Sequence, residues 1–216
     1  MIEQLPSNET TITPPVSVRP ATRADVPGIA ALLLEGFGHE YRGRLRLRAA
    51  RWIERVHALP GRLSGMAVAV DAQDTPLGVA GLRTRELYPR LDGLEERALF
   101  EELGIGASLL LDLRVSLAEP SIYHPRSNEA FIYSVAVTAP WRGRGVGDAL
   151  LDWLHVRGIS LGKAVVVLEV SENNKPARRL YERHGYTLRY RRRSVLAWLR
   201  LGRPVLLMEK RLERRM

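Results

Sequence analysis

The sequence predicts an α+β (α/β) domain, a central sheet flanked by helices, and three observations carry that prediction. Strand-like and helix-like patterns alternate along the chain from Val16 onward. The stretches "AFIYSVAV" (130–137) and "KAVVVLEV" (163–170) are rich in β-branched and apolar residues, as buried strands are. Between them lies a helical stretch at 148–157, which makes a βαβ-like unit. With 216 residues, 45% hydrophobic and 26% charged, the chain is long enough to bury one sizeable core and has the composition of a globular domain.

The elements follow in order. Residues 1–15 mix Pro, Ser, Asn and Thr without periodicity and read as a disordered leader, so one domain is expected over 16–216. "VSVRPAT" alternates like a strand. "TRADVPGIAALLLEGF" then reads as a helix, with Asp25 as N-cap, Pro27 in the first turn, and Ile29, Leu32, Leu33 and Phe37 on one stripe. Helical spacing returns at 46–59 through Ala49, Trp52, Ile53 and Val56, and Pro60-Gly61 ends it. "MAVAVDAQDTPLGVAGLRTR" gives two short strands, 66–70 and 77–83, joined by a polar turn, hence a hairpin. Residues 86–128 read as an insertion: 94–103 is helical, 108–117 is apolar and fits helix or strand, and Pro120 and Pro125 mark a loop. After 163–170, a helix at 176–184 ends at Gly185, and strand-like runs follow at 187–190 and 204–210.

Composition removes several function classes. Without cysteine there is no disulfide, thiolate nucleophile or thiolate metal site, and no metal is expected. No apolar run approaches the roughly 18 residues of a membrane helix, so no membrane partner is expected. The first residues lack the basic start and apolar core of a signal peptide, which makes the cytoplasm the expected location. The net charge of +9 is local, because the part from Arg178 onward carries 13 Arg or Lys against 3 acids. Such a face suits an anionic partner such as RNA or a ribosomal surface, or is a solvated Arg-rich surface. Nucleic acid ranks last, since the aromatic platforms that hold single strands are missing from it.

The stretch "SVAVTAPWRGRGVGDALLDW" (134–153) passes from strand to helix through three glycines and two arginines. Glycine at 143, 145 and 147 permits a tight turn and close backbone approach, and amides at a helix start attract an anion, which makes this a candidate pyrophosphate cradle. The spacing fits neither a P-loop nor G-x-G-x-x-G.

R-x-x-G-x-G, at Arg142, Gly145 and Gly147 after "IYSVAV", resembles the acetyl-coenzyme A motif of the GNAT acyltransferase superfamily. "LEVSENNKPARRLYERHGY" (168–186) is similar to that family's second signature, through Glu169, Asn174, Ala177, Leu180, Tyr181, Glu182, Gly185 and Tyr186. The resemblance spans 16–210 in element order and is specific between about Phe131 and Tyr186. It implies a mixed, mostly antiparallel sheet that splays between the strands at 132–137 and 165–170, with acetyl-CoA in the opening. Backbone groups of Val135, Ala136 and Val137 would hold the pantetheine arm. Arg142, Gly143, Arg144, Gly145, Val146 and Gly147 would hold the pyrophosphate.

The resemblance further implies an acetyl-CoA-dependent N-acetyltransferase acting on a primary amine of a small molecule or protein. Tyr181 matches the family's general acid. Glu169 resembles the general base of the superfamily's ribosomal-protein alanine acetyltransferases, or is a structural carboxylate paired with an arginine; Glu129 and His184 are weaker candidates for that base. Asn174 would contact the pantetheine arm, cap the following helix, or do both. Within the insertion, the Leu-rich helix is read as a lid, an acceptor wall or a homodimer contact. The alternative from another class is a catalytically silent acetyl-CoA sensor or interaction module.

Overall fold

The computed structural model describes residues 16–38, 44–85, 87, 94–104, 123–192 and 204–213. The expected leader at 1–15 and the apolar stretch at 108–117 lie outside them. Twelve regular elements are described: β1 (Ser17–Pro20), α1 (Val26–Phe37), α2 (Arg44–Ala58), β2 (Met66–Val70), β3 (Pro76–Arg83), α3 (Leu94–Leu103), β4 (Glu129–Val137), α4 (Val146–Ser160), β5 (Val165–Ser171), α5 (Lys175–Arg183), β6 (Thr187–Arg192) and β7 (Val205–Arg211). The seven strands form one sheet in the order β1-β2-β3-β4-β5-β7-β6. Every neighbouring pair is antiparallel except β4 and β5, which run parallel as the βαβ-like reading requires.

Period-two alternation explains the layering. On β2, Ala67 and Ala69 face Leu150, Leu151 and Leu154 of α4, while Met66, Val68 and Val70 face Ile29 and Leu33 of α1 with Ala49 and Ile53 of α2. Both faces of this strand are therefore covered, and all five of its residues are buried. Phe37, expected on the buried stripe of α1, is 54% exposed: it is the last residue of the helix, and Leu34 fills the buried place in that turn. The helical part of the expected insertion, α3, sits on α2 through Arg55 with Glu101 (2.6 Å) and Glu102 (3.1 Å), and Arg51 with Glu102 (3.1 Å). No helix among the described residues is long and apolar enough to cross a membrane.

Asp25 holds the expected N-cap position of α1 but does not bond to the helix through its side chain. It precedes α1 within a 3₁₀ turn (Arg23–Asp25), yet its carboxylate turns back rather than capping the helix. It accepts two hydrogen bonds from Arg19, both at 2.8 Å, and others from the Thr22 N–H (2.7 Å) and hydroxyl (2.8 Å). Arg19 also reaches Asp74 in the β2–β3 turn at 2.9 Å, so one guanidinium ties together β1, the start of α1 and the hairpin. The Arg19 hydrogen bond, with smaller help from Thr22, outweighs burial and holds the Asp25 carboxyl at about 2.

A depressed carboxylate favours the fold above its unfolded pKa, and that contribution is lost as pH falls through the folded value. Asp25→Asn is therefore expected to remove about 2 kcal/mol of stability at neutral pH. It should also flatten the acid limb of the stability profile between about pH 4 and about pH 2. Urea unfolding across that range measures both; an acid limb identical to the parent's would remove Asp25 from it.

Candidate functional site

The candidate site lies where the sheet comes apart. β4 and β5 pair only from Glu129 with Val165 to Ile132 with Leu168; beyond that, Tyr133–Val137 and Glu169–Ser171 have no ladder between them. The physical cause lies on β4. Ser134 takes a left-handed φ of 53°, and the β3–β4 register slips between Val79 and Gly81 at the same level. An extra residue in one strand bends it and increases its twist, so β4 leans away from β5 while staying paired with β3. For a residue with a Cβ that conformation costs about 1–2 kcal/mol, and such strain collects at functional sites.

The far half of β4 turns backbone groups toward the opening. The Thr138 N–H donates to the Leu77 carbonyl at 2.9 Å, so by alternation Ala136 faces β3 while Val135 and Val137 face the open side. The Val137 carbonyl already accepts from Arg142 Nε at 2.8 Å.

After β4, a 3₁₀ turn (Ala139–Trp141) leads into the glycine-rich loop. Gly143 and Gly145 have φ of 74° and 83°, and a Cβ built on either meets nothing within 4 Å, so the space beside both is open. α4 begins at Val146, two residues before the expected start, and so Gly147 lies inside the first turn. Its need for glycine is different: a Cβ there would stand 3.0 Å from Leu180 Cδ2, so Gly147 lets α4 approach α5 closely. The first-turn amides of α4 have no intrahelical acceptor and sit at the positive end of its dipole.

The two arginines diverge. Arg142 pairs with Glu35 of α1 at 3.0 Å, and the same carboxylate accepts from the Thr138 hydroxyl (2.9 Å) and the Ala139 N–H (2.6 Å). Arg144 is exposed, with its guanidinium 5.7 Å from the Trp141 ring centroid. Glu35 escaped the sequence reading, because a carboxylate on an amphipathic helix carries no sign of which distant loop it holds.

On the other side of the opening, Asn174 caps α5, its side-chain oxygen accepting from the Ala177 N–H at 3.2 Å. Tyr181 is only 6% exposed, and burial pushes its phenol up to about 12. Its hydroxyl has no hydrogen-bond partner among the described residues. A phenol so placed keeps its proton at neutral pH and has it free to donate.

Glu169 stands on β5 one residue past the last β4–β5 pair, with its carboxylate 2.9 Å from Arg192 and 18% exposed. The arginine pairing foreseen as one reading is thus present. Glu129 stands at the closed end of the same pairing, held by the Tyr123 hydroxyl (2.5 Å), Arg189 (2.9 Å) and the Arg126 N–H (3.0 Å). Burial works against its charge, but these donors prevail and hold its carboxyl below the ordinary range; burial and Glu129 together push Tyr123 up to about 12. His184 lies elsewhere: its contacts among the described residues are with Asp148, Asp152 and His155 of α4. Val135 and Val137 on β4 and Glu169 on β5 thus border the unpaired stretch, the 143–147 loop follows the end of β4 and Asn174 that of β5, Tyr181 packs in the core on the α4 face of the sheet, and the His184 side chain turns to α4.

The family model for the Acetyltransferase (GNAT) family matches residues 33–186, most of the chain and all of the opening. The chain belongs to the GNAT acetyltransferase family. A GNAT relative, an uncharacterized N-acetyltransferase YycN of Bacillus subtilis, is 39% identical over 69 residues, which is 32% of this chain and 42% of the relative. The match thus spans less than half of that relative's length. Among solved structures, the histone acetyltransferase HPA2 and related acetyltransferase from Corynebacterium glutamicum superposes with a TM-score of 0.62 at 23% identity, over 92% of this chain and 97% of that one. The putative acetyltransferase yncA from Salmonella typhimurium, solved with its cofactor acetyl-CoA, gives a TM-score of 0.52 at 16% identity, over 94% and 96%. These likenesses establish the GNAT fold, with its mixed, mostly antiparallel sheet between helices.

For this GNAT chain, the basic C-terminal region is less available than its charge suggests. Among the described residues, Arg178, Arg183, Arg189, Arg191 and Arg192 each pair with an acid, respectively Glu182, Asp148, Glu129, Glu172 and Glu169. Four of these acids, all but Glu182, precede Arg178 and so offset four of the region's ten excess charges.

Proposed function

We propose that the chain is an acetyl-CoA-dependent N-acetyltransferase acting on a primary amine. The observation that carries this reading is the opening of the sheet beyond Ile132 and Leu168, flanked by the glycine-rich loop at the start of α4. The residues present fit the cosubstrate. Backbone groups of Val135 and Val137 offer an extended arm a strand-like partner, and the amides of 143–147 offer the phosphates donors beside an unfilled space. Arg144 supplies free charge there; Arg142 acts through the loop, which it fastens to Glu35. Asn174, whose oxygen is committed to the cap, retains its amide N–H groups for the arm.

The bound cosubstrate supplies the acetyl thioester. Transfer to an amine then needs a proton removed from the nitrogen and one given to the departing sulfur. Tyr181 provides the second. Glu169 takes up the first, directly or through water, and Arg192 positions its carboxylate at the edge of the opening. The acceptor, a small-molecule amine or a protein amine, meets this edge from the α1–α2 side of the sheet, where Val167 packs on the same face of β5 as Glu169.

The test is release of coenzyme A from acetyl-CoA with a panel of amines and peptide N-termini; a chain that binds the cofactor as a silent sensor releases none. With an accepted amine, Glu169→Gln is expected to lower kcat by about 100-fold at neutral pH and to remove the acidic limb of the pH–rate profile. Arg192→Ala is expected to lower it by about tenfold at most, because the base survives without its positioning partner. If the two variants lose activity equally and keep the parent's pH profile, the pair is structural and Glu169 is not the base.

A further inference from the structure

We propose that Asp152, His155 and His184 form a binding site for a divalent cation of the zinc class, which clamps α4 to the C-terminal end of α5. One ligand atom from each of the three lies within 4.8 Å of the other two. Asp152 and His155 are three residues apart on α4 and so share one face of the helix; His184 follows the last residue of α5. Asp152 and His155 border a groove between α4 and β7, lined also by Gly185 next to His184 and open to the water that would complete the coordination.

The surroundings match what metal-binding imidazoles require. A ligating histidine has its second ring nitrogen held by a hydrogen-bond partner that fixes tautomer and orientation. Here His155 Nε2 lies 2.8 Å from the Tyr186 hydroxyl, and His184 Nε2 lies 3.1 Å from Asp148 Oδ1. That leaves Nδ1 of each ring as the ligand. His184 Nδ1 is 3.5 Å from Asp152 Oδ1, close to the separation of two tetrahedral ligands each bound at about 2.0–2.1 Å. Two imidazoles and one carboxylate suit zinc or its neighbours better than magnesium or calcium, which take mostly oxygen.

One group opposes the cation. Lys210 Nζ stands 3.5 Å from His155 Nδ1, where it occupies the approach, and its flexible stem must swing aside. Its position sets a signature that a plain ion-pair cluster lacks: removing the ammonium improves the site. The consequence of binding is mechanical, since the Tyr186 ring that braces His155 lies 5.8 Å from the ring of Tyr181.

The experiment is calorimetric titration of the tag-free full chain with Zn²⁺ near neutral pH, with thermal melting alongside. One equivalent should bind with a Kd of about 10 μM or tighter and raise the melting midpoint. Asp152→Asn, at a side chain 72% exposed and so harmless to folding, and His184→Gln should each weaken binding about tenfold or more. Lys210→Met should tighten it about threefold or more. No binding below about 100 μM, or binding left unchanged by both Asp152→Asn and His184→Gln, overturns the proposal. The outcome does not depend on acetyl transfer.

Discussion

Tyr181→Phe is expected to lower kcat by about 100-fold or more while changing the Kd for acetyl-CoA by less than about threefold. The phenol is buried on α5, its hydroxyl has no protein partner among the described residues, and burial keeps its proton in place to about pH 12. Removing the oxygen therefore leaves no buried group unsatisfied and changes little in the packing against Tyr186. What disappears is a donor whose benefit is felt when charge develops on sulfur. Turnover and calorimetry on the same preparation separate the effects: a parallel loss of binding and turnover assigns Tyr181 to packing, and full activity removes it from the reaction. Because the phenol stays protonated, any basic limb of the pH–rate profile below about pH 10 belongs to another group.

The second large effect is expected at the glycine-rich loop. Gly145→Glu should weaken acetyl-CoA binding by about 30-fold or more, since it places a carboxylate in the open space beside the helix amides and imposes a side chain on a φ of 83°. Gly145→Asn separates the two causes, because asparagine tolerates the left-handed region. It should retain affinity to within about tenfold, the remainder of the loss in the glutamate variant being charge. Arg144→Ala should weaken binding a further few-fold and reduce its salt dependence. Equal affinity in the parent and Gly145→Glu, measured by calorimetry, would place the phosphates elsewhere. Gly147 is the poorer probe, since its lack of a side chain also serves the contact with Leu180.

Local chemistry was legible in the sequence; long-range pairing was not. The runs at 130–137 and 163–170, the 66–70 and 77–83 hairpin and the helix at 94–103 all appear near their expected places, because period and turn residues act within a few positions. Asn174 and Gly145 stand at the N-caps of α5 and α4 for the same reason: helix starts are locally encoded. Asp25 is the N-cap residue that local signals mark, but they do not show that its carboxylate is committed to Arg19, and Phe37 is exposed because periodicity does not reveal where a covering layer ends. Glu169 was correctly singled out as a carboxylate needing a partner, but nothing near it in sequence identifies Arg192 of β6. The Ser134 bulge, which opens the sheet, left no trace, since serine is not a residue that signals positive φ.

Glu35 joins the glycine-rich loop to α1. Three donors from the start of the loop, on Thr138, Ala139 and Arg142, converge on this single carboxylate of α1. In the proposed function the loop meets the phosphates and α1 lies on the acceptor side, so Glu35 is the direct link between the two substrate sites. Linkage makes the exchange reciprocal: whatever affinity one substrate gains from the other's presence, it returns in equal measure.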